Sequence, residues 1–367
     1  MRTVLIDIIA GARPNFMKIA PIIRALEHRK SAGGRLRYRL VHTGQHYDAR
    51  MSSDFFEQLE IPSPDINLEV GSGTQAEQTG AVMTRYERLL VEARSDLCLV
   101  VGDVTSTMAC AITAQKIGVP VAHVEAGIRS GDWRMPEEIN RMATDAVTNW
   151  FFTTSETAND NLRRAGVGEE RIFFVGNTMI DTLLANMGRL RRPSFWQDLG
   201  LESGGYFVLT MHRPSNVDEE RHFAQLLAAI GEGTRGLPAV FPVHPRTRKT
   251  LEVLGAKIQG LHLVDPQPYL EFNYLVRHAK AVITDSGGVT EETTVMGVPC
   301  MTLRDSTERP ETVTIGTNEI LGTDPEALRA ALDRLFSQGW KKGGIPEKWD
   351  GRTGARIVEI LESCLFR

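Results

Sequence analysis

The chain alternates short apolar runs with longer amphipathic stretches. Val4–Ala10, Tyr38–His42, Asp96–Val101, Val119–Val124, Phe151–Thr153 and Ile172–Val175 are mostly apolar, with many β-branched or aromatic residues. Runs of that length and content suit strands buried in a sheet. Most are separated by segments with helical periodicity. In Phe16–His28, for example, Ile19, Ile22, Ile23 and Leu26 fall on one side of a helix. Strand alternating with helix predicts a parallel sheet with helices on both faces. The pattern loses its regularity between about Gly188 and Gly205. It restarts with Tyr206–Thr210, Val240–Val243, Leu261–Val264, Ala281–Thr284 and Pro299–Leu303. The expected fold is α/β, with two Rossmann-like, doubly wound domains, 1–185 and 186–350. A tail, 351–367, carries the helix Gly354–Cys364, which is free to pack back on the N-terminal domain.

A length of 367 residues fits two to three domains. A hydrophobic share of 42% beside 24% charged residues is the balance of a soluble globular protein. Net charge −4 leaves no basic field for nucleic acid or a membrane surface, so any anion must be held by a local arrangement. The four cysteines, Cys98, Cys110, Cys300 and Cys364, lack metal-ligand spacing, and the first three sit in apolar runs. Reduced core thiols and a cytoplasmic location are expected. The opening VLIDIIAG is too short for a membrane span, contains Asp7, and lacks a signal-peptide cleavage pattern.

Polar groups collect just after the strands, the edge at which open parallel sheets bind ligands. Two such edges face an interdomain cleft in the expected architecture. The richest stretch is Ala281–Glu292, AVITDSGGVTEE. It reads as a buried strand, a sharp turn at Gly287 and Gly288, and a helix whose first N–H groups and positive dipole end attract an anion. Glu291 and Glu292 are placed in the first helical turn, where a carboxylate can accept from both hydroxyls of a ribose. The competing account is a helix capped by Ser286, with glutamates complementing its dipole. Arg13 and Lys18 lie in the first strand–helix turn, where Arg13 can fork onto phosphate oxygens. Asp103 ends one strand, and capping the helix that begins near Thr105 is the common use of such a residue. Glu125 ends another strand with no capping account. Glu137 and Glu138 suit the first turn after Pro136, and Arg141, one turn after Glu137, is expected to orient its carboxylate. His212 and His244 end strands of the second half, as phosphate contact, proton shuttle or structural residue. None of these groups has metal-ligand spacing, and no cofactor glycine signature follows the first strand.

Taken in order, GARPNFMK, TGQHYD, GDVTST, HVEAGIRS, MPEEINR, MHRPSN, TDSGGVTEE and TERPET run nearly the whole chain. Together they resemble the non-hydrolysing UDP-N-acetylglucosamine 2-epimerases. The resemblance implies a glycosyltransferase-B fold with UDP in the cleft, no metal and no other cofactor, and a homodimer. It implies reversible epimerisation at C2, turning UDP-GlcNAc into UDP-ManNAc by loss of UDP to 2-acetamidoglucal and its re-addition. By motif, Asp103, Glu125 and Glu137 match the catalytic acids, with Arg141 beside them and His212 near the phosphates. Arg13 and Lys18 match the phosphate side of the first loop, and Ser286, Gly287 and Gly288 the diphosphate cradle. Glu292 matches the ribose carboxylate, Arg309 a further nucleotide-site arginine, and Phe272 a neighbour of uracil; His244 is grouped with these UDP contacts. Many bacterial members bind a second UDP-GlcNAc as activator around a Gln-His pair and a later glutamine. Here Gln45 and His46 stand but Asp48 takes the later position, which implies an enzyme without that activation. Relatives acting on a UDP-2,3-diacetamido uronic acid share TGQHYD and MPEEINR, so that substrate is the alternative. A glycosyltransferase of the same fold, the hydrolysing epimerase and a nucleotide-sugar sensor are the other readings. The sensor would have no need of Glu125 or Glu137.

Overall fold

The computed structural model describes residues 2–44, 56–243, 248, 251 and 260–366. The chain divides into two compact units, Met1–Ala185 with Glu347–Arg367, and Asn186–Pro346.

The first unit contains β1 (Val4–Ala10), β2 (Leu36–His42), β3 (Ile66–Asn67), β4 (Leu97–Val101), β5 (Val121–Val124), β6 (Trp150–Thr153) and β7 (Ile172–Phe174). They form one parallel sheet in the order β3-β2-β1-β4-β5-β6-β7. On one face Ile9, Val41, Cys98, Val100 and Val121 pack with Val82, Tyr86, Leu90, Ala109, Cys110 and Ala114 from the helices Gln75–Glu92 and Thr105–Lys116. The alternate residues Ile6, Ile8, Leu40, Leu97 and Leu99 are equally buried, so both faces are covered. Asp7 lies within β1 and is fully buried. Arg39 donates to its two oxygens at 2.8 and 2.9 Å and the Tyr86 hydroxyl at 3.1 Å, which offsets its desolvation.

The second unit contains β8 (Phe207–Thr210), β9 (Ala239–Pro242), β10 (Leu261–Val264), β11 (Ala281–Thr284), β12 (Cys300–Thr302) and β13 (Asn318–Ile320). Their order is β10-β9-β8-β11-β12-β13, again parallel. Phe207, Leu209, Phe241 and Ile283 face the helices Glu220–Gly233 and Pro325–Ser337. Tyr206, Val208, Val240 and Val282 face Trp196, Leu275 and Val276.

The tail returns to the first unit. Trp349 is buried, and the helix Thr353–Leu365 packs on Arg13–Ser31. Its first turn is fixed by Asp181, whose carboxylate accepts from the Gly354 N–H at 2.8 Å. Cys98, Cys110 and Cys300 are free and buried. Among the described residues no helix is long and apolar enough to cross a membrane.

In each sheet the strand order reverses once, between β1 and β4 and between β8 and β11. The crevice outside the carboxyl ends of such a strand pair is where open α/β sheets bind ligands. The turns after these four strands carry Gly11–Arg13, Gly102–Asp103, Met211–Arg213 and Asp285–Ser286.

Candidate functional site

In the first unit Lys18 is the pivot. It projects from the helix Arg13–Ser31, is 8% exposed, and places its Nζ 2.7 Å from a Glu125 carboxylate oxygen. Its path crosses the backbone of Gly102. That residue has φ +66°, and a Cβ there would lie 2.7 Å from the Lys18 Nζ, so a larger residue would be strained and would push the lysine head aside. Glu125 is 3% exposed and also left-handed, at φ 68°, a conformation that costs a non-glycine residue free energy. Its N–H donates to the Phe152 carbonyl at 3.0 Å. The adjacent strand end is thus used to aim a carboxylate rather than to start a helix.

Asp103 does not cap the helix after it. The N-cap residue of Thr105–Lys116 is Val104, with no side-chain cap bond. The Asp103 carboxylate instead accepts from Arg141 Nη2, while its carbonyl accepts from Asn140 at 2.9 Å. The expected pairing of Arg141 with Glu137 is also corrected. Among the described residues Arg141 bridges Asp103 and Glu138, the latter at 3.1 Å. Glu138, Arg141 and Asp145 fall three and four residues apart, on the buried face of the helix Pro136–Ala146. Glu137 is one position off that face and half-buried. Glu138 also takes the Ser130 N–H at 2.8 Å, the Ser130 hydroxyl at 3.0 Å and the Gly131 N–H at 3.1 Å. Burial raises its pKa, but these donors and Arg141 outweigh that and hold it below the usual range. Pro136, Glu137 and Glu138 by themselves read as a polar first turn. The repeat Glu138, Arg141, Asp145 was the available sign of an inward polar face.

In the second unit the organiser is Asp285, to which the sequence reading gave no role. It is fully buried at the end of β11. One oxygen lies 2.9 Å from His212 Nδ1. The other accepts from the N–H groups of His212 and Arg213, both at 2.9 Å, and from Asn216 at 3.1 Å. Burial works against its ionisation, yet His212 and these donors keep its pKa low. His212 itself is 62% exposed in its side chain, so its ring is anchored on one edge and open on the other.

The helix Gly287–Met296 starts at the first glycine. Ser286 occupies the N-cap position without a side-chain cap bond, so the capping account fails. Gly287 and Gly288 are not among the positive-φ residues, which corrects the expected sharp turn: they are already helical. Their use is space. A Cβ at Gly287 would meet only ordinary contacts, 3.9 Å from Arg304 and Glu308, so the protein does not itself require glycine there.

Because the helix begins at Gly287, Glu291 and Glu292 fall in its second turn rather than its first. Glu291 pairs with Arg309, and Arg304 forks onto Glu308 at 2.8 and 2.7 Å. Glu292 is buried against neutral partners, Asn273 at 3.3 Å and the Tyr269 hydroxyl. Burial pushes its pKa up to about 7, against the lowering effect of those two donors. Phe272, on the helix Tyr269–His278, packs partly buried against the cluster of Trp196, Leu275 and Val276. His244, Gln45, His46, Asp48 and the Arg13 side chain lie outside the described residues.

The family model for UDP-N-acetylglucosamine 2-epimerase matches residues 28–362. The UDP-N-acetylglucosamine 2-epimerase of Methanocaldococcus jannaschii is 39% identical, the alignment covering 97% of this chain and 98% of that one. A UDP-2,3-diacetamido-2,3-dideoxy-D-glucuronate 2-epimerase of Pseudomonas aeruginosa is also 39% identical, over 96% of this chain and 98% of its own. The crystal structure of the M. jannaschii UDP-GlcNAc 2-epimerase with UDP-GlcNAc and UDP superposes with a TM-score of 0.86, at 39% identity over 98% of this chain and 100% of that one. With two parallel sheets of this order and a match over most of its length, the chain belongs to the UDP-N-acetylglucosamine 2-epimerase family.

Proposed function

We propose that this protein interconverts UDP-GlcNAc and UDP-ManNAc by inversion at C2. The observation that carries the reading is Glu125: a buried carboxylate in a strained backbone conformation, paired with Lys18 across Gly102 and next to the turn of Asp103. Strain of this kind persists only where its surroundings over-determine it, and it gathers at working sites.

In the proposed reaction a carboxylate takes the C2 proton as the C1–O bond to UDP breaks, leaving enzyme-bound 2-acetamidoglucal and UDP. UDP then adds back at C1 while a proton is delivered to the opposite face of C2. The C2 proton is weakly acidic, so its removal needs a positioned base and a stabilised leaving group. Asp103, Glu125 and Glu137 are the candidate acids and bases, and Arg141 fixes Asp103. The helix N-terminus at Ser286, Gly287 and Gly288 is assigned to the diphosphate. His212 and Arg309 are assigned to its surroundings and Glu292 to the ribose. Arg13, Lys18, His244 and Phe272 complete the proposed contacts. The absence of allosteric activation, a homodimer and a cytoplasmic location belong to the same proposal.

Proton NMR with UDP-GlcNAc alone in D2O tests it. Formation of UDP-ManNAc with deuterium at C2, without a lag or added activator, is the expected result. Free UDP with free ManNAc would mean the hydrolysing reaction instead. The equally similar P. aeruginosa relative favours a second reading, the diacetamido uronic acid nucleotide. C2 exchange in that compound, with none in UDP-GlcNAc, would select it.

A further inference from the structure

The proposed mechanism leaves unused a largely buried ion-pair cluster next to the candidate acids. Behind the turns that carry Asp103 and Glu125 lie His123, Asp145 and Arg129. His123 is fully buried on β5, and Asp145, 6% exposed, comes from the inward face of the helix Pro136–Ala146. Asp145 takes His123 Nδ1 at 2.7 Å, Arg129 Nη2 at 2.7 Å and the Gly127 N–H at 3.1 Å. The other nitrogen of His123 lies 2.9 Å from the Gly102 carbonyl. Each ring nitrogen thus faces an acceptor oxygen.

The ends of this chain of bonds matter. Gly102 immediately precedes Asp103, and Gly127 follows Glu125 by two residues. Gly102, Glu125 and Gly127 all have positive φ, at 66°, 68° and 77°. At Glu125, which carries a Cβ, that conformation is costly and needs its surroundings to hold it. One carboxylate grips the Gly127 N–H directly and the Gly102 carbonyl through the imidazole. It therefore joins the two acid-bearing turns, although Asp103 and Glu125 come from different strand ends.

We propose that Asp145, acting through His123 and with Arg129 as counter-charge, is a positioning residue that sets the spacing of the Asp103 and Glu125 turns. It touches neither candidate acid's carboxylate. Its effect is on their geometry, where displacements of about 1 Å cost about 10²-fold in rate.

The inference rests on the epimerase reading, and steady-state kinetics of purified full-length variants keeps the two separable. Wild-type protein that epimerises neither sugar nucleotide refutes that reading. Given an active wild type, Asp145→Asn keeps one oxygen but turns an amide against one of the donors. Its kcat should fall by about 10²-fold, with KM and affinity for UDP within about two-fold. His123→Gln should lose less, and the double variant should be no worse than Asp145→Asn, because both break one connection. Wild-type kcat in folded Asp145→Asn, or losses that multiply in the double variant, would overturn the proposal. If Asp145→Asn does not fold, His123→Gln with Arg129→Lys takes its place under the same two criteria.

Discussion

At the strand ends of the first unit, carboxylates meet cations. Glu125 has Lys18, Asp103 and Glu138 share Arg141, and Asp145 has Arg129 beside His123. In the second unit Glu291 and Glu308 are matched in the same way by Arg309 and Arg304, but Glu292 rests on an amide and a phenol. The difference separates two uses of a buried acid. Paired acids are held in a fixed geometry by the cation beside them. An acid with neutral partners stays close to the balance between its two protonation states, and a ligand that donates hydrogen bonds can tip it.

The sharpest way to break the comparison is Glu125→Gln. If the paired acids carry the chemistry, kcat should fall by about 10³-fold with little change in KM, read as loss of C2 deuterium incorporation. A loss confined to KM would move Glu125 from chemistry to binding.

The next effect concerns Glu292. Its carboxyl is raised to about 7 from an ordinary 4.5, so the neutral form is favoured by folding. The associated stability is fully present below about pH 4.5 and is lost as pH rises through 7. The size of the shift corresponds to at most about 3 kcal/mol. Calorimetry between pH 5 and 8 should show Tm falling, and Glu292→Gln should lessen that fall without abolishing it, because burial also pushes the Glu311 carboxyl up to about 7. Ribose hydroxyls favour the ionised form, so UDP-GlcNAc should bind more tightly toward pH 8 and release protons on binding. Equal affinity at both ends of the range would remove Glu292 from the ribose.

A smaller effect tests the glycine helix. Since a Cβ at Gly287 meets only ordinary contacts, Gly287→Ala should leave Tm unchanged or slightly higher. Affinity for UDP should nevertheless fall by about ten-fold, because the helix N-terminus can no longer approach a phosphate as closely. A drop in Tm would show that the glycine serves the fold instead. At the bottom of the scale, Glu169→Gln removes an exposed ion pair with Arg163 and should shift neither Tm nor kcat.

Much of this was legible because apolar runs and their polar ends are local features. The strands around Asp103, Glu125, His212 and Ser286 stand within a residue or two of where their patterns place them. β3 and β13 were missed because two or three residues of mixed polarity show no alternation. Glu137 and Glu138 could not be told apart by spacing from Arg141, since both lie within one turn of it. Only the packing of Pro136–Ala146 decides which side faces inward. Asp285 and Asp145 were silent for a related reason. Their importance lies in bonds to turns that are distant in sequence, and nothing local reports them.

The return of Glu347–Arg367 to the first unit also bears on synthesis. A growing chain has made all of Asn186–Pro346 before Trp349 and the helix Thr353–Leu365 exist to cover Arg13–Ser31. The later-encoded unit is thus free to finish folding while the earlier one waits with an apolar helix face uncovered, the reverse of the usual N-to-C order. Nascent chains arrested short of Glu347 should accordingly resist protease in the second unit and remain sensitive in the first.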